Sequence, residues 1–392
     1  MDERRRHKRA FRFFNAILKP FIKHKFNLDC ESLQGVPRPY LLLPNHNLEL
    51  DPLLVGAVTN EQIYFVASEH ITRKGLGSRF LMRYFKPIIH VKGRMGVNSS
   101  LEMIRTLRRG DNVCLFPEGN RSFNGLTGYI SPAAARLARS CGAAVVTYVF
   151  EGGYFSQPRW SRSLRRGRMT GRVANVYTKE QLRAMDEGQI YDAICADLRE
   201  DAYLTQQRAP VAFRGKALAE NIETTLFLCP CCGGIDKLES RGDTFTCESC
   251  GSGFRYNEFG MIVDSDGNSS TVTQWDLAQR EKLRQIAAAA GADQPLFSDE
   301  LAYIRIGAAH SVAESGSGKL TAYADRFRFN DKEYRPEDIL GASIFSRNII
   351  VAHIGDEMLQ YELRGNDRFC ALKYLYLYQD MAQAEKQQRG DD

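Results

Sequence analysis

The first half of the chain alternates short apolar runs with stretches of helical periodicity. Pro39-Tyr40-Leu41-Leu42-Leu43-Pro44, Ile63 to Ala67, Ile88 to Val91, Val113 to Phe116 and Ala143 to Phe150 read as buried strands. Between them, Ser78 to Phe85, Ser99 to Arg109 and Ser131 to Ala138 read as helices. In the second of these, Ser99 and Ser100 are cap residues, Leu101, Ile104 and Leu107 make one apolar face, and Gly110 is the stop. A helix from Lys179 to Gln207 closes the region. Strands alternating with helices predict an α/β layer fold with a largely parallel sheet, whose active residues gather at strand ends.

Ahead of this region, Phe11, Phe14, Ile17, Leu18, Phe21 and Ile22 recur at spacings of three and four. They predict an amphipathic helix over residues 1–28, kinked or broken at Pro20. Residues 4 to 25 carry nine Lys and Arg. Such a helix lies in an anionic membrane surface or packs on its own domain with a solvated basic face.

Behind the region, Cys229-Pro230-Cys231-Cys232-Gly233 and Cys247-Glu248-Ser249-Cys250-Gly251 form two Cys-x2-Cys knuckles with fourteen residues between them. This is zinc-ribbon spacing. Cys229, Cys232, Cys247 and Cys250 supply four thiolates for a structural Zn2+ with no open position. Cys231 either replaces Cys229 or Cys232, or stays free. The rival, a Cys-Pro-x-Cys redox motif, lacks a surrounding thioredoxin-like βαβ frame. Arg241-Gly242-Asp243 reads as the hairpin turn between the knuckles, and Gly267-Asn268-Ser269-Ser270 as a linker. Thr273 to Ala290 reads as a helix. Then come six candidate strands, Tyr303–Ile306, Leu320–Tyr323, Phe327–Phe329, Ile339–Phe345, Ile349–Ile354 and Met358–Leu363, and a helix from Asp367 to Glu385. Strands closed by one C-terminal helix resemble pleckstrin-homology-like domains in pattern. Gly316-Ser317-Gly318-Lys319 reads as a turn; with Ala313 and Leu320 at its key positions it is not a P-loop. The expected organisation is therefore a membrane-associating helix at 1–28, the α/β domain at 29–215, the zinc ribbon at 216–266, linker and helix at 267–295, and a β domain at 296–392.

Composition changes this picture little: 392 residues, 43% hydrophobic, 26% charged, net charge +6. No apolar run approaches the roughly 18 residues of a membrane span, and the N-terminus lacks the apolar core of a signal peptide. Scattered cysteines beside one metal-spaced cluster imply a reducing, cytoplasmic interior. The charge is uneven. Residues 159 to 172 hold six Arg in a basic loop with one Trp, read either as a contact for lipid headgroups or carrier phosphates or as an exposed loop. No nucleic-acid module accompanies it, and none is expected to bind.

The candidate chemistry lies in two stretches. In Asn45-His46-Asn47-Leu48-Glu49-Leu50-Asp51-Pro52, one continuous helix would set His46 and Asp51 about 140° apart. Instead, Asp51 reads as the N-cap and Pro52 as the first residue of a helix, with His46 in a loop folded back over its start. An Asp bonded to one ring nitrogen fixes the tautomer and stabilises the imidazolium, leaving the other nitrogen to act as general base on a hydroxyl. In Phe116-Pro117-Glu118-Gly119-Asn120-Arg121-Ser122, Pro117 ends a strand, Glu118 and Gly119 turn the chain, and Arg121 projects a planar fork of donors suited to phosphate.

With both stretches present in this order, the chain resembles the glycerophosphate and lysophosphatidate acyltransferase family, whose motifs are His-x4-Asp and Phe-Pro-Glu-Gly-Thr-Arg-Ser. Asn120 stands in place of the Thr. The resemblance spans about residues 35 to 200. It implies a second basic block after the third strand, where Arg94 fits best for the acceptor phosphate and Lys92 is close by. The family's fourth block carries prolines that this chain lacks, so no residue is taken from it. The implied reaction is acyl transfer from acyl-CoA or an acyl-carrier protein to the free hydroxyl of lysophosphatidate. His46 is the base, Asp51 its orienting group, and Arg94, Glu118, Gly119 and Arg121 bind the acceptor or shape its pocket. Glycerol-3-phosphate or another lysolipid is the alternative acceptor, and a non-catalytic membrane-recruited adaptor the alternative role. The expected location is cytoplasmic, peripheral on the inner face of an anionic membrane.

Overall fold

The computed structural model describes residues 3–73, 75–90, 97–307, 312–355 and 359–389. It divides into two units, Met1–Pro158 with Leu164–Arg214, and Arg159–Ser163 with Gly215–Asp392.

In the first unit the strands are β1 (Leu28–Cys30), β2 (Tyr40–Pro44), β3 (Ile63–Ser68), β4 (Ile88–His90), β5 (Asn112–Cys114), β6 (Ala144–Glu151) and β7 (Met169–Tyr177). They form one sheet in the order β1-β7-β6-β2-β5-β3-β4. Every neighbouring pair is parallel except β6 and β7. The helices are α1 (Glu3–Lys25), α2 (Asp51–Thr59), α3 (Leu76–Tyr84), α4 (Val97–Arg108), α5 (Ala133–Ser140), α6 (Gly153–Ser156), α7 (Lys179–Ala184), α8 (Glu187–Leu198) and α9 (Ala202–Arg208).

Alternation along the strands makes three layers. Leu41, Leu43, Val113, Val145 and Val149 face a core shared with Met103 and Leu107 of α4, Leu137 of α5 and Ile190, Ile194 and Leu198 of α8. Tyr40, Leu42, Cys114, Val146 and Phe150 face the opposite core, shared with Phe11 and Ile22 of α1 and Leu54, Val55 and Val58 of α2. Strand β2 is buried along its whole length, between β5 and β6. It ends at the His46 loop.

Three local expectations are corrected here. The helix expected over Lys179–Gln207 is three helices. Asp186 accepts from Gln189 N to start α8, and Asp201 accepts from Tyr203 N and Leu204 N to start α9. Each carboxylate satisfies helix-start N–H groups, so the chain restarts rather than continues. Residues 169–177, partly read as basic loop, form β7. Of the kink or break expected at Pro20, the break does not occur: α1 continues from Glu3 to Lys25.

In the second unit, β8 (Leu238–Arg241), β9 (Thr244–Cys247), β10 (Gly253–Tyr256), β11 (Met261–Asp264) and β12 (Ser269–Thr271) form an antiparallel sheet in which each strand pairs with the next in the chain. The expected linker thus ends in a strand. Thr271 and Gln274 form a capping box at the start of α10 (Val272–Ala289). The strands β13 (Phe297–Ile306), β14 (Val312–Ala322), β15 (Phe327–Phe329), β16 (Lys332–Tyr334), β17 (Ile339–Phe345), β18 (Ile349–Ile354) and β19 (Leu359–Arg364) make a seven-stranded antiparallel sheet, followed by α11 (Ala371–Arg389). Gly316 to Lys319 lie inside β14 and are not a turn. A Cβ at Gly316 would meet the Tyr303 ring at 2.8 Å, and one at Gly318 the Asn330 amide at 2.6 Å. These glycines are there for cross-strand side chains.

Trp160, expected in an exposed loop, is fully buried in this unit. Its ring meets Tyr256 edge-on at 5.6 Å, and Arg159 donates to the Ile344 carbonyl at 2.8 Å. Buried Arg159 and Trp160 cannot serve as headgroup contacts.

Candidate active site

His46 leaves the C-terminal end of β2, and the helix after its loop begins at Asp51, with Leu50 in the cap position. Asp51 is therefore the first helical residue rather than the cap. Its carboxylate folds back onto the loop. Oδ2 accepts from His46 Nδ1 at 2.8 Å, Asn47 N at 2.8 Å and Leu48 N at 3.1 Å. Asp51 is wholly buried, whereas the imidazole keeps 20% of its surface exposed. The carboxylate is thus fixed, and the ring reaches the surface. Phe116 stacks on the imidazole with centroids 4.5 Å apart.

The second stretch closes over the same loop. Glu118 Oε1 accepts from His46 N at 2.7 Å, and its Oε2 from Gly128 N at 2.6 Å. Burial pushes the Glu118 carboxyl up to about 7, against the pull of these two N–H groups. Gly119 turns the chain at φ +65°, a conformation that costs glycine little. Ser122 N donates to the His46 carbonyl at 2.9 Å, so Arg121 stands beside the loop. Burial draws the Arg121 guanidinium below its ordinary value, while the carboxylates of Glu49 and Asp51 hold it up.

The structure thus brings His46, Asp51, Glu118, Gly119 and Arg121 around one loop. Arg94 and Lys92 lie outside the described residues.

Sequence reading missed the other half of the brace. Asn45 Nδ2 and Asn47 Nδ2 each donate to Glu200 Oε2 at 2.6 Å. Both also donate to the Phe150 carbonyl, at 2.9 and 3.2 Å, and Asn45 Oδ1 accepts from Phe150 N at 2.8 Å. Glu200 is 155 residues from Asn45, and no motif links the two. The only signal was a pair of asparagines flanking the histidine.

Residues 27–151 match the family described as Acyltransferase. They form an acyltransferase domain. All the site residues above except Glu200 fall inside the matched span, in the order His46, Asp51, Glu118, Arg121. Among solved structures, the 1-acyl-sn-glycerophosphate (LPA) acyltransferase PlsC from Thermotoga maritima is similar at 18% identity, covering 51% of this chain and 82% of that chain, with a TM-score of 0.42. No curated protein matches the chain.

Outside the acyltransferase domain, the Sγ atoms of Cys229, Cys232, Cys247 and Cys250 all lie within 4.8 Å of one another. Cys229–Cys250 and Cys232–Cys247 are each 3.7 Å apart. Four thiolates about 2.3 Å from a tetrahedral centre would stand roughly 3.8 Å apart, so the quartet fits a metal ion. Cys231 is exposed and is not part of this quartet.

Proposed function

We propose that this enzyme transfers a fatty acyl group from a thioester, acyl-CoA or acyl-carrier protein, to the free hydroxyl of lysophosphatidate. The observation that carries this reading is the buried Asp51 carboxylate bonded to Nδ1 of a partly exposed His46, next to the Arg121 loop.

With Nδ1 held by Asp51, proton transfer falls to Nε2. As the acceptor oxygen bonds to the thioester carbonyl carbon, its proton passes to Nε2, and Asp51 stabilises the imidazolium. The tetrahedral intermediate then expels the thiolate as the C–S bond breaks, and the imidazolium returns the proton to sulfur. Arg121 binds the acceptor phosphate, aided by Arg94. Glu118 and Gly119 shape the loop, and holding the hydroxyl against the carbonyl supplies much of the acceleration. The Cys229–Cys232–Cys247–Cys250 site holds a structural Zn2+.

The substrate is a membrane lipid, and no helix among the described residues is long and apolar enough to cross a membrane. A peripheral surface fits this need. Phe11 and Ile22 of α1 face inward, while Phe13, Ile17 and Phe21 are each more than half exposed along the opposite side. The stripe that the sequence spacing singled out is therefore divided: Phe11 and Ile22 are buried, whereas Ile17 and Phe21 are exposed together with Phe13. Leu76 and Phe80 of α3 are exposed as well, and the Phe14 and Phe80 rings lie 5.3 Å apart, joining the two helices. Aromatic side chains beside the basic residues of α1 suit the inner face of an anionic membrane.

The test is an acyl-transfer assay with defined lysolipid and glycerol-phosphate acceptors and both donor types. His46→Ala is expected to lower turnover by about 10³-fold or more with unchanged thermal unfolding. Near-normal turnover would overturn the reading.

A further inference from the structure

We infer that Glu200 is a positioning residue for His46, acting through Asn45 and Asn47. This rests on the acyl-transfer reading of the site.

The two side-chain amides on either side of His46 converge on a single atom, Glu200 Oε2, at 2.6 Å each. Glu200 is itself held: its N–H donates to Thr127 Oγ1 at 2.7 Å, and its carbonyl accepts from Thr127 N at 3.0 Å. Thr127 adjoins Gly128, whose N–H anchors Glu118 Oε2, and Glu118 Oε1 holds the His46 N–H. The segment 127–128 therefore ties together two carboxyl groups that grip the histidine loop from two sides. One bonds the backbone of His46, the other the side chains of its neighbours.

Glu200 is buried, and its hydrogen bonds run to Asn45, Asn47 and Thr127. Its Oε1 has no hydrogen-bond partner among the described residues. A buried carboxyl that leaves one oxygen unmatched costs stability, which hydrogen bonds to Oε2 only partly offset. Burial pushes its carboxyl up to about 8, opposed by the amides of Asn47 and Asn45. An apolar side chain would fill this position at lower cost to the fold. What the carboxyl group supplies is a fixed acceptor oxygen for two donors. Without it, the side chains of Asn45 and Asn47 keep, among the described residues, only the Phe150 backbone, and the imidazole between them can drift from its alignment with Asp51. A misplacement of about 1 Å costs on the order of 100-fold in rate.

The experiment compares Glu200→Ala, Glu200→Gln and Asn47→Ala in the full chain. Glu200→Ala is expected to lower kcat about 10- to 100-fold with KM changed less than about threefold. Glu200→Gln, which keeps an acceptor oxygen, restores most of that loss. Asn47→Ala removes one arm, so it gives a smaller loss confined to kcat even where Glu200→Ala does not fold. Imidazole 1H–15N correlation spectra, with His46 assigned by its loss in His46→Ala, should show one Nδ1-protonated tautomer in the parent and a mixture in Glu200→Ala or Asn47→Ala. Unchanged kcat and tautomer in a folded variant, a loss carried by KM alone, or a Gln variant as impaired as the Ala variant would each overturn the assignment. If the parent chain transfers no acyl group, the reaction reading fails, and the imidazole spectra still decide whether Glu200 positions His46.

Discussion

Asp51 Oδ2 receives His46 Nδ1 at 2.8 Å together with the backbone N–H groups of Asn47 and Leu48. One oxygen thus orients the ring and shapes the loop that carries it. Asp51→Asn keeps an acceptor for the backbone donors but removes the charge that stabilises the imidazolium. We expect kcat to fall about 10²- to 10⁴-fold with KM little altered, measured by steady-state acyl transfer alongside a thermal melt. A folded Asp51→Asn protein with ordinary kcat would refute the pairing's role.

The two buried glutamates make stability depend on pH. Burial raises Glu118 to about 7 and Glu200 to about 8, both above the unfolded value near 4.5. The folded state therefore holds protons that the unfolded state has released. Their stabilising contribution is complete below about pH 4.5 and is lost as pH rises through about 7 and then about 8, at up to about 1.4 kcal/mol per pH unit for each group. Denaturant midpoints should fall between pH 5 and 8, and Glu200→Gln should flatten the upper part of the slope. A midpoint that rises across this window would contradict the assignment.

For the cysteine quartet, Cys247→Ser is expected to abolish stoichiometric zinc and unfold the ribbon, because structural metal binding is coupled to folding. Cys231→Ser should retain about one zinc per chain, since Cys231 stands outside the quartet. Metal analysis of the purified variants distinguishes these outcomes, and equal zinc loss in both would show that Cys231 is a ligand.

Trp160→Ala should destabilise the second unit by about 3–5 kcal/mol, the usual cost of emptying a fully buried aromatic site. Chemical denaturation followed by tyrosine and residual tryptophan fluorescence would report it. A cost below about 1 kcal/mol would mean that the segment 159–163 is not core to that unit.

How much of this was visible beforehand follows from the range of each interaction. The strands around β2 and β6, the spacing of His46 and Asp51, the turn at Glu118–Gly119 and the pairing of the cysteine knuckles are all local. Periodicity, turn chemistry and ligand spacing act over a few residues, so the amino-acid order determined them. Packing decided the rest. An apolar pattern states that a face is covered but not by what, so α1 could turn Phe11 inward and Phe13 outward only once α2 and the sheet were in place. Trp160 in a run of arginines looked solvated until a β-rich unit closed around it. Glu200 reaches Asn45 and Asn47 across 155 and 153 residues, and only the tertiary fold brings that carboxylate to the histidine loop. A hydrogen bond between distant side chains leaves no trace in either one's neighbourhood, because its geometry is set by the elements that carry them.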